Sequence, residues 1–257
     1  MTTINLNADM GESHGRFKVG NDEEILKIIN SASVACGFHA GDPTVMATTV
    51  KLAKDNGVSV GAHPGFNDIW GFGRRQIQMN TRDLEYMVSY QIGALNGLAA
   101  QYGMKVTHVK PHGALNNMAH VDPEYAKAIA RGIKAVDRDI IFVANVLSEM
   151  VKAGREEGLK VALEAYVDRT YDDTGAMTSR KFPDAMIHDA EQATKQVLTF
   201  LNEGAVISKS GKKFPTKIHT FCCHGDEPTG VEVVGKVKKA LEKQGVKFKT
   251  LPEMELS

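Results

Sequence analysis

Groups that can hold or move a proton recur in six short clusters along this chain. They are Asn7-Ala-Asp9-Met-Gly-Glu12, His39-Ala-Gly-Asp42, His63-Pro-Gly65, Lys110-Pro-His112-Gly113, Glu164 through Asp168-Arg169, and His224-Gly-Asp226. Carboxylates beside imidazoles are the residue types of general acid–base chemistry. A lysine inside a fold needs a partner, and its role is either to stabilise charge or, with a lowered pKa, to act as a base. Neutral histidine with Asp or Glu also suits zinc or another transition ion. No two such residues have tight ligand spacing, so a divalent metal would require ligands converging from different elements. The loop Gly71-Phe-Gly-Arg74-Arg75 adds paired guanidiniums that fit a carboxylate or phosphate. It lacks the third glycine of a dinucleotide-binding turn. Gly230–Val237 mimics the spacing of a phosphate loop, but Val237 replaces the magnesium-binding hydroxyl and the segment reads as helix.

The elements that position these clusters alternate. Short β-branched runs at 4–9, 33–39, 58–63, 106–112, 140–145, 161–168 and 218–224 read as strands. Amphipathic stretches at 21–32, 81–102, 123–135, 147–157, 185–202 and 230–244 read as helices, and another runs from Asp42-Pro43 to Asn56-Gly57. Asp42 before Pro43 is an N-cap followed by a first-turn proline. Repeated strand–helix alternation implies parallel strands with helices outside. Side chains alternate faces along a strand. Ile4, Leu6 and Ala8 thus oppose Asn5, Asn7 and Asp9, while Val58, Val60 and Ala62 oppose Ser59, Gly61 and His63. His108, Lys110 and His112 fall on one face, as do Glu164, Tyr166 and Asp168. A doubly wound sheet, buried on both faces, reads as nearly continuous apolar runs. One apolar and one polar face instead predicts an α/β fold of one β/α barrel spanning 1–257, with about seven parallel strands and a polar interior. Its site belongs at the C-terminal ends of the strands. The expected chemical groups are Asp9, Glu12, Lys110, His112, His224 and Asp226. The expected substrate contacts are Asn7, His39, His63, Arg74 and Arg75, with Glu164, Asp168 and Arg169 further along.

Composition narrows the function classes. The chain has 257 residues, 42% hydrophobic and 24% charged, with 31 basic and 31 acidic side chains. That balance gives no net field for nucleic acid or an anionic membrane. The odd count of three cysteines, two of them adjacent, argues against a disulfide framework. No apolar run is long enough to span a bilayer, and a cytoplasmic setting is expected.

Long motifs in fixed order carry a resemblance: Asn-Ala-Asp-Met-Gly-Glu at 7–12, Ala-Cys-Gly-Phe-His-Ala-Gly-Asp-Pro at 35–43, Gly-Ala-His-Pro-Gly-Phe at 61–66, Gly-Phe-Gly-Arg-Arg at 71–75 and Val-Lys-Pro-His-Gly-Ala-Leu at 109–115. With Glu164 to Tyr171 and Cys223-His224-Gly225-Asp226, the chain resembles the LamB/YcsF lactam-utilisation family along its whole length. His14 stands where that family usually has Phe, and Asn116 where Tyr is usual. The resemblance implies a barrel similar to that of the glycoside hydrolase/deacetylase group. It implies ATP-dependent opening of 5-oxo-L-proline to L-glutamate, with ATP taken together with magnesium and with partner subunits B and C. Ring opening needs an activated water and a proton for the departing nitrogen. Asp9 is the expected base and His112 or His224 the expected donor, with Glu12 or Asp226 as other activators of water. Two other classes fit the same residues: a stand-alone metal-dependent amidase or deacetylase, and a non-catalytic binding subunit.

Overall fold

The strands in the computed structural model, which describes residues 2–224 and 230–256, are β1 (Thr3–Met10), β2 (Ser31–Ala35), β3 (Ser59–His63), β4 (Val106–Val109), β5 (Ile141–Asn145), β6 (Val161–Tyr166), β7 (Ala205–Ile207), β8 (Lys213–Pro215), β9 (Thr220–Cys222) and β10 (Lys247–Phe248). Strands β1 to β6 and β9 lie side by side in parallel, and β9 pairs back onto β1 through Asn5↔Thr220 and Asn7↔Cys222. The sheet is therefore a closed barrel of seven parallel strands, as the face alternation requires. Strands β7 and β8 form an antiparallel hairpin outside it. The helices are α1 (Asp22–Ile25), α2 (Pro43–Asp55), α3 (Thr81–Gln101), α4 (Gly113–Val121), α5 (Pro123–Val136), α6 (Glu149–Glu156), α7 (Ala190–Glu203) and α8 (Gly230–Lys243). Among the described residues no helix is long and apolar enough to cross a membrane.

Several boundaries differ from the expectation for local reasons. The helix expected over 21–32 is only the single turn of α1, because Ser31 already belongs to the sheet. There its hydroxyl accepts from Asn5 Nδ2 at 2.9 Å and bonds Ser59 Oγ at 2.7 Å. Strand β2 ends at Ala35 rather than at His39, and Gly37 turns the chain at φ +87°. Strand β4 ends at Val109, ahead of Pro111, which has no N–H for the ladder. Helix α7 starts at Ala190, where Asp189 accepts from Gln192 N, not at 185. The expectation did not include α4 or the β7–β8 hairpin. Asp42 caps α2 as predicted, accepting from Thr44 N and Val45 N, each at 2.9 Å. The segment with phosphate-loop spacing forms α8, where Lys236 pairs with Glu232.

The apolar core is a shell between barrel and helices, and it contains Ile4, Leu6, Ala8, Val58, Val60 and Ala62. The opposite faces fill the barrel in polar layers. At the bottom, Asn5, Ser31 and Ser59 are bonded in series, and the Leu251 amide donates to Ser31 Oγ at 3.1 Å. Leu251 is fully buried and forms a small apolar cluster with Ile141, Val143 and Ala162. The C-terminal segment is thus the plug of the barrel's N-terminal end. Leu251→Ala is expected to cost about 2–5 kcal/mol through the cavity it leaves. The urea midpoint of unfolding measures it, and an unchanged midpoint would show that the plug contributes nothing.

Candidate functional site

One buried lysine organises the middle of the barrel. Lys110 follows β4, is 2% exposed and points inward. Its Nζ donates to Asn7 Oδ1 at 2.9 Å, Glu164 Oε1 at 3.3 Å and Cys222 Sγ at 3.2 Å, and pairs with Asp9 Oδ1 at 2.5 Å. Asn7 completes the layer through bonds to Glu164 Oε1 and Thr220 Oγ1. Burial pulls the ammonium's pKa down, but the surrounding anionic groups, Asp9 foremost, outweigh it and hold Lys110 well above the usual lysine value. Lys110 is therefore a fixed positive charge, which removes the alternative of a base with lowered pKa. Burial likewise raises Asp9, but His63 and Lys110 overcome it and keep this carboxylate well below its ordinary range.

Above that layer three histidines meet. His39 follows β2, His63 ends β3 and His112 follows β4. His39 lies flat on His112, with centroids 3.6 Å apart and planes at 6°, and both rings stand edge-on to His63. His63 Nε2 is 3.2 Å from Asp9 Oδ2. The Gly71–Arg75 loop backs the cluster, since Phe72 O accepts from His112 Nε2 at 2.7 Å. Gly73, at φ +62°, has to be glycine: a Cβ there would sit 2.6 Å from His39 Cβ and 2.8 Å from His112 Cδ2. Glu12, after β1, brings its Oε1 to 3.6 Å from both His39 Nε2 and His112 Nδ1. The ligand atoms of Glu12, His39, His63 and His112 all lie within 4.8 Å of one another, a grouping that can hold a metal ion.

A second centre lies across the opening. Asp168 Oδ2 accepts from His224 Nδ1 at 2.8 Å, and Tyr166 stacks on the imidazole. Burial lowers the His224 pKa, but the Asp168 charge and hydrogen bond exceed it, so the ring ends above its ordinary value. Arg180 Nη2 faces His224 Nε2 at 3.2 Å. Both centres open into one cavity of about 860 Å³, lined among others by Asp9, Lys110, His112, Arg74, Arg169 and His224. Asn7 and Glu164 lie one layer beneath it. Arg75 does not line it, because its guanidinium pairs with the buried Asp68 carboxylate. Arg169 reaches the cavity but also ties down the neighbouring loop, donating to Thr178 O and Ala185 O. Asp226 lies outside the described residues.

Sequence reasoning missed Tyr166, Asn117 and the 178–181 segment, which also line the cavity. The available signal was the long stretch between β6 and α7, since long loops in compact folds are often functional. Nothing in the residues themselves singles out Arg180.

The sequence profile of the LamB/YcsF family matches residues 4–256. The chain belongs to that family. Among LamB/YcsF relatives, the 5-oxoprolinase A component of Natranaerobius thermophilus is 49% identical over 251 residues, covering 98% of each chain. The component of the same name from Gluconobacter oxydans is 47% identical, covering 97% of this chain and 98% of its own. The crystal structure of a lactam utilization protein from Thermus thermophilus superposes with a TM-score of 0.92 at 41% identity, covering 98% of this chain and 100% of that one. The barrel is also similar to the catalytic domain of a peptidoglycan N-acetylglucosamine deacetylase from Eubacterium rectale, with a TM-score of 0.52 at 12% identity, covering 100% and 91%. That likeness concerns the fold alone.

Proposed function

We propose that this LamB/YcsF chain is the A component of an ATP-dependent 5-oxoprolinase and opens 5-oxo-L-proline to L-glutamate together with subunits B and C. The observation that carries this reading is the buried Lys110–Asp9 pair at the floor of a polar cavity, in a chain nearly half identical, end to end, to components of that name. A five-membered lactam is a stable amide with a poorly electrophilic carbonyl. Transfer of the ATP γ-phosphoryl group to the lactam oxygen, with magnesium on the phosphates, turns that oxygen into a leaving group. Water then adds at the carbon, the ring C–N bond breaks as the nitrogen takes up a proton, and a second water hydrolyses the resulting γ-glutamyl phosphate to L-glutamate and inorganic phosphate.

The residues suit distinct parts of this sequence. Arg74, Arg169 and Arg180 offer guanidiniums to the substrate carboxylate. The fixed charge of Lys110 stabilises negative charge developing at the reacting centre. Asp9, held anionic by Lys110 and His63, is a poor proton acceptor and better suited to orienting the ammonium and a water. The proton donor is His224. Its Nδ1 is fixed on Asp168, and its Nε2 lies in the cavity lining 3.2 Å from Arg180 Nη2. His112 is held at both nitrogens by Phe72 O and His63, whereas the Nε2 partner of His224, Arg180, is itself an exposed side chain lining the cavity.

The test is glutamate release from 5-oxoproline with and without ATP and with and without both partner subunits. The expected result is release only when all are present. Release by this chain alone without ATP would establish a stand-alone amidase instead.

A further inference from the structure

We propose that Glu12, His39, His63 and His112 bind one divalent transition-metal ion of the zinc class, separate from any magnesium carried by a nucleotide. The inference does not depend on the identity of the lactam substrate.

The tautomers point to it first. His63 Nδ1 donates to Lys110 O at 2.6 Å, and His112 Nε2 donates to Phe72 O at 2.7 Å. A carbonyl oxygen only accepts, so each of these nitrogens carries a proton, and the other nitrogen of each ring is the one left to bind an ion. The two inward nitrogens, His63 Nε2 and His112 Nδ1, face one another at 3.0 Å. That contact needs a cation between the two nitrogens, either a proton on His63 Nε2, which also lies 3.2 Å from Asp9 Oδ2, or a metal ion in its place. Anchoring of the outer N–H on a backbone carbonyl is also the device that orients metal-bound imidazoles.

Distances point the same way. Ligands about 2.0–2.1 Å from a tetrahedral zinc stand about 3.3 Å from one another. The observed separations of 3.0 Å, 3.6 Å and 3.6 Å among His63, His112, Glu12 and His39 bracket that value. His39 supplies an independent sign. It is 1% exposed, and neither ring nitrogen has a hydrogen-bond partner among the described residues. An imidazole left unsatisfied in the interior is costly, and a metal bond removes that cost. Because His39 is stacked parallel to His112, its lone pair runs beside its neighbour's rather than toward it. His39 is thus the ligand that must tilt, and its removal should weaken binding least.

The donor set selects the ion. Three imidazoles and one carboxylate suit zinc and its transition-metal neighbours, whereas magnesium prefers oxygen ligands and retains water. The site adjoins the Asp9–Lys110 pair at the cavity floor, so an oxygen ligand arriving in the cavity would reach it.

The experiment uses the full chain, stripped with a chelator and titrated with zinc by calorimetry and separately with cobalt(II) by visible absorption. One equivalent of zinc should bind, unaffected by excess magnesium, and cobalt should give the intense spectrum of a four-coordinate, nitrogen-rich site. His63→Gln and His112→Gln should each weaken zinc binding by about 100-fold or more, beyond the loss typical of an outer-shell change, while His219→Gln leaves it intact. No stoichiometric uptake, or uptake undiminished in both variants, overturns the proposal. If the variants do not fold, the wild-type cobalt spectrum decides: weak six-coordinate absorption overturns it.

Discussion

Lys110→Met is expected to lower turnover of the assembled complex by orders of magnitude and to destabilise the isolated chain by about 3–5 kcal/mol, the range for breaking a buried ion pair from one side. The structure makes both losses follow from one atom. Nζ neutralises Asp9 and is within hydrogen-bond reach of Glu164, which is fully buried. A methionine fills similar volume but leaves the Asp9 and Glu164 carboxylates without the ammonium that both contact. Lys110→Met/Glu164→Gln separates the effects. It should recover much of the stability, because one buried charge is gone, and none of the turnover. Glutamate release and urea unfolding measure the two. Full activity in the single variant would remove Lys110 from the site.

Asp168→Asn should change the pH dependence of turnover most. Asp168 holds His224 above the ordinary histidine value, while His224 and the hydrogen bonds to it keep Asp168 below the carboxylate range despite burial. A histidine with a raised folded pKa contributes stability that is fully present below its unfolded value, about 6.5, and is lost as pH rises through the folded value. The supply of protonated His224 follows the same window. Asn keeps the size and one acceptor but removes the charge. Burial then dominates, the imidazole pKa falls, and the alkaline limb of the profile moves to lower pH. The turnover lost at neutral pH should be on the order of 10²–10⁴-fold, the usual share of a general acid. Profiles that superimpose would exclude His224 as the proton donor.

The barrel was legible because strand alternation is a local property. Asn5, Asn7 and Asp9 could be assigned inward from their spacing alone, and the same logic placed Lys110 inside. The residues 25–29, Ile-Leu-Lys-Ile-Ile, were not legible in this way: an apolar run fits helix or turn, and the decision lies with Ser31 bonding across to Asn5 and Ser59. The histidine cluster was legible only as separate turns. Its members come from the ends of three strands, and no spacing in the chain reports that His39 stacks on His112 or that Phe72 O fixes a tautomer. Gly61 shows the same limit. It reads as a small residue on the polar face, yet it is glycine because the His108 ring lies where a Cβ would be, 2.2 Å from Cδ2. Arg74 and Arg75 read as equals, and only the position of Asp68 separates them.

The seam of the barrel has a kinetic consequence. Strand β1 lies between β2 and β9, and the partner that closes the barrel on it, residues 220–222, is more than two hundred positions away in the chain. Until that segment is available, β1 and β6 each present an open edge of unpaired backbone, and open edges recruit other chains. Contacts of such long sequence separation also form slowly. A nascent chain therefore carries two adhesive edges through nearly all of its synthesis, so aggregation during expression should depend on how fast β9 docks. Substitutions at Thr220 or Cys222 that slow docking should lower soluble yield even where they leave the finished barrel as stable as before.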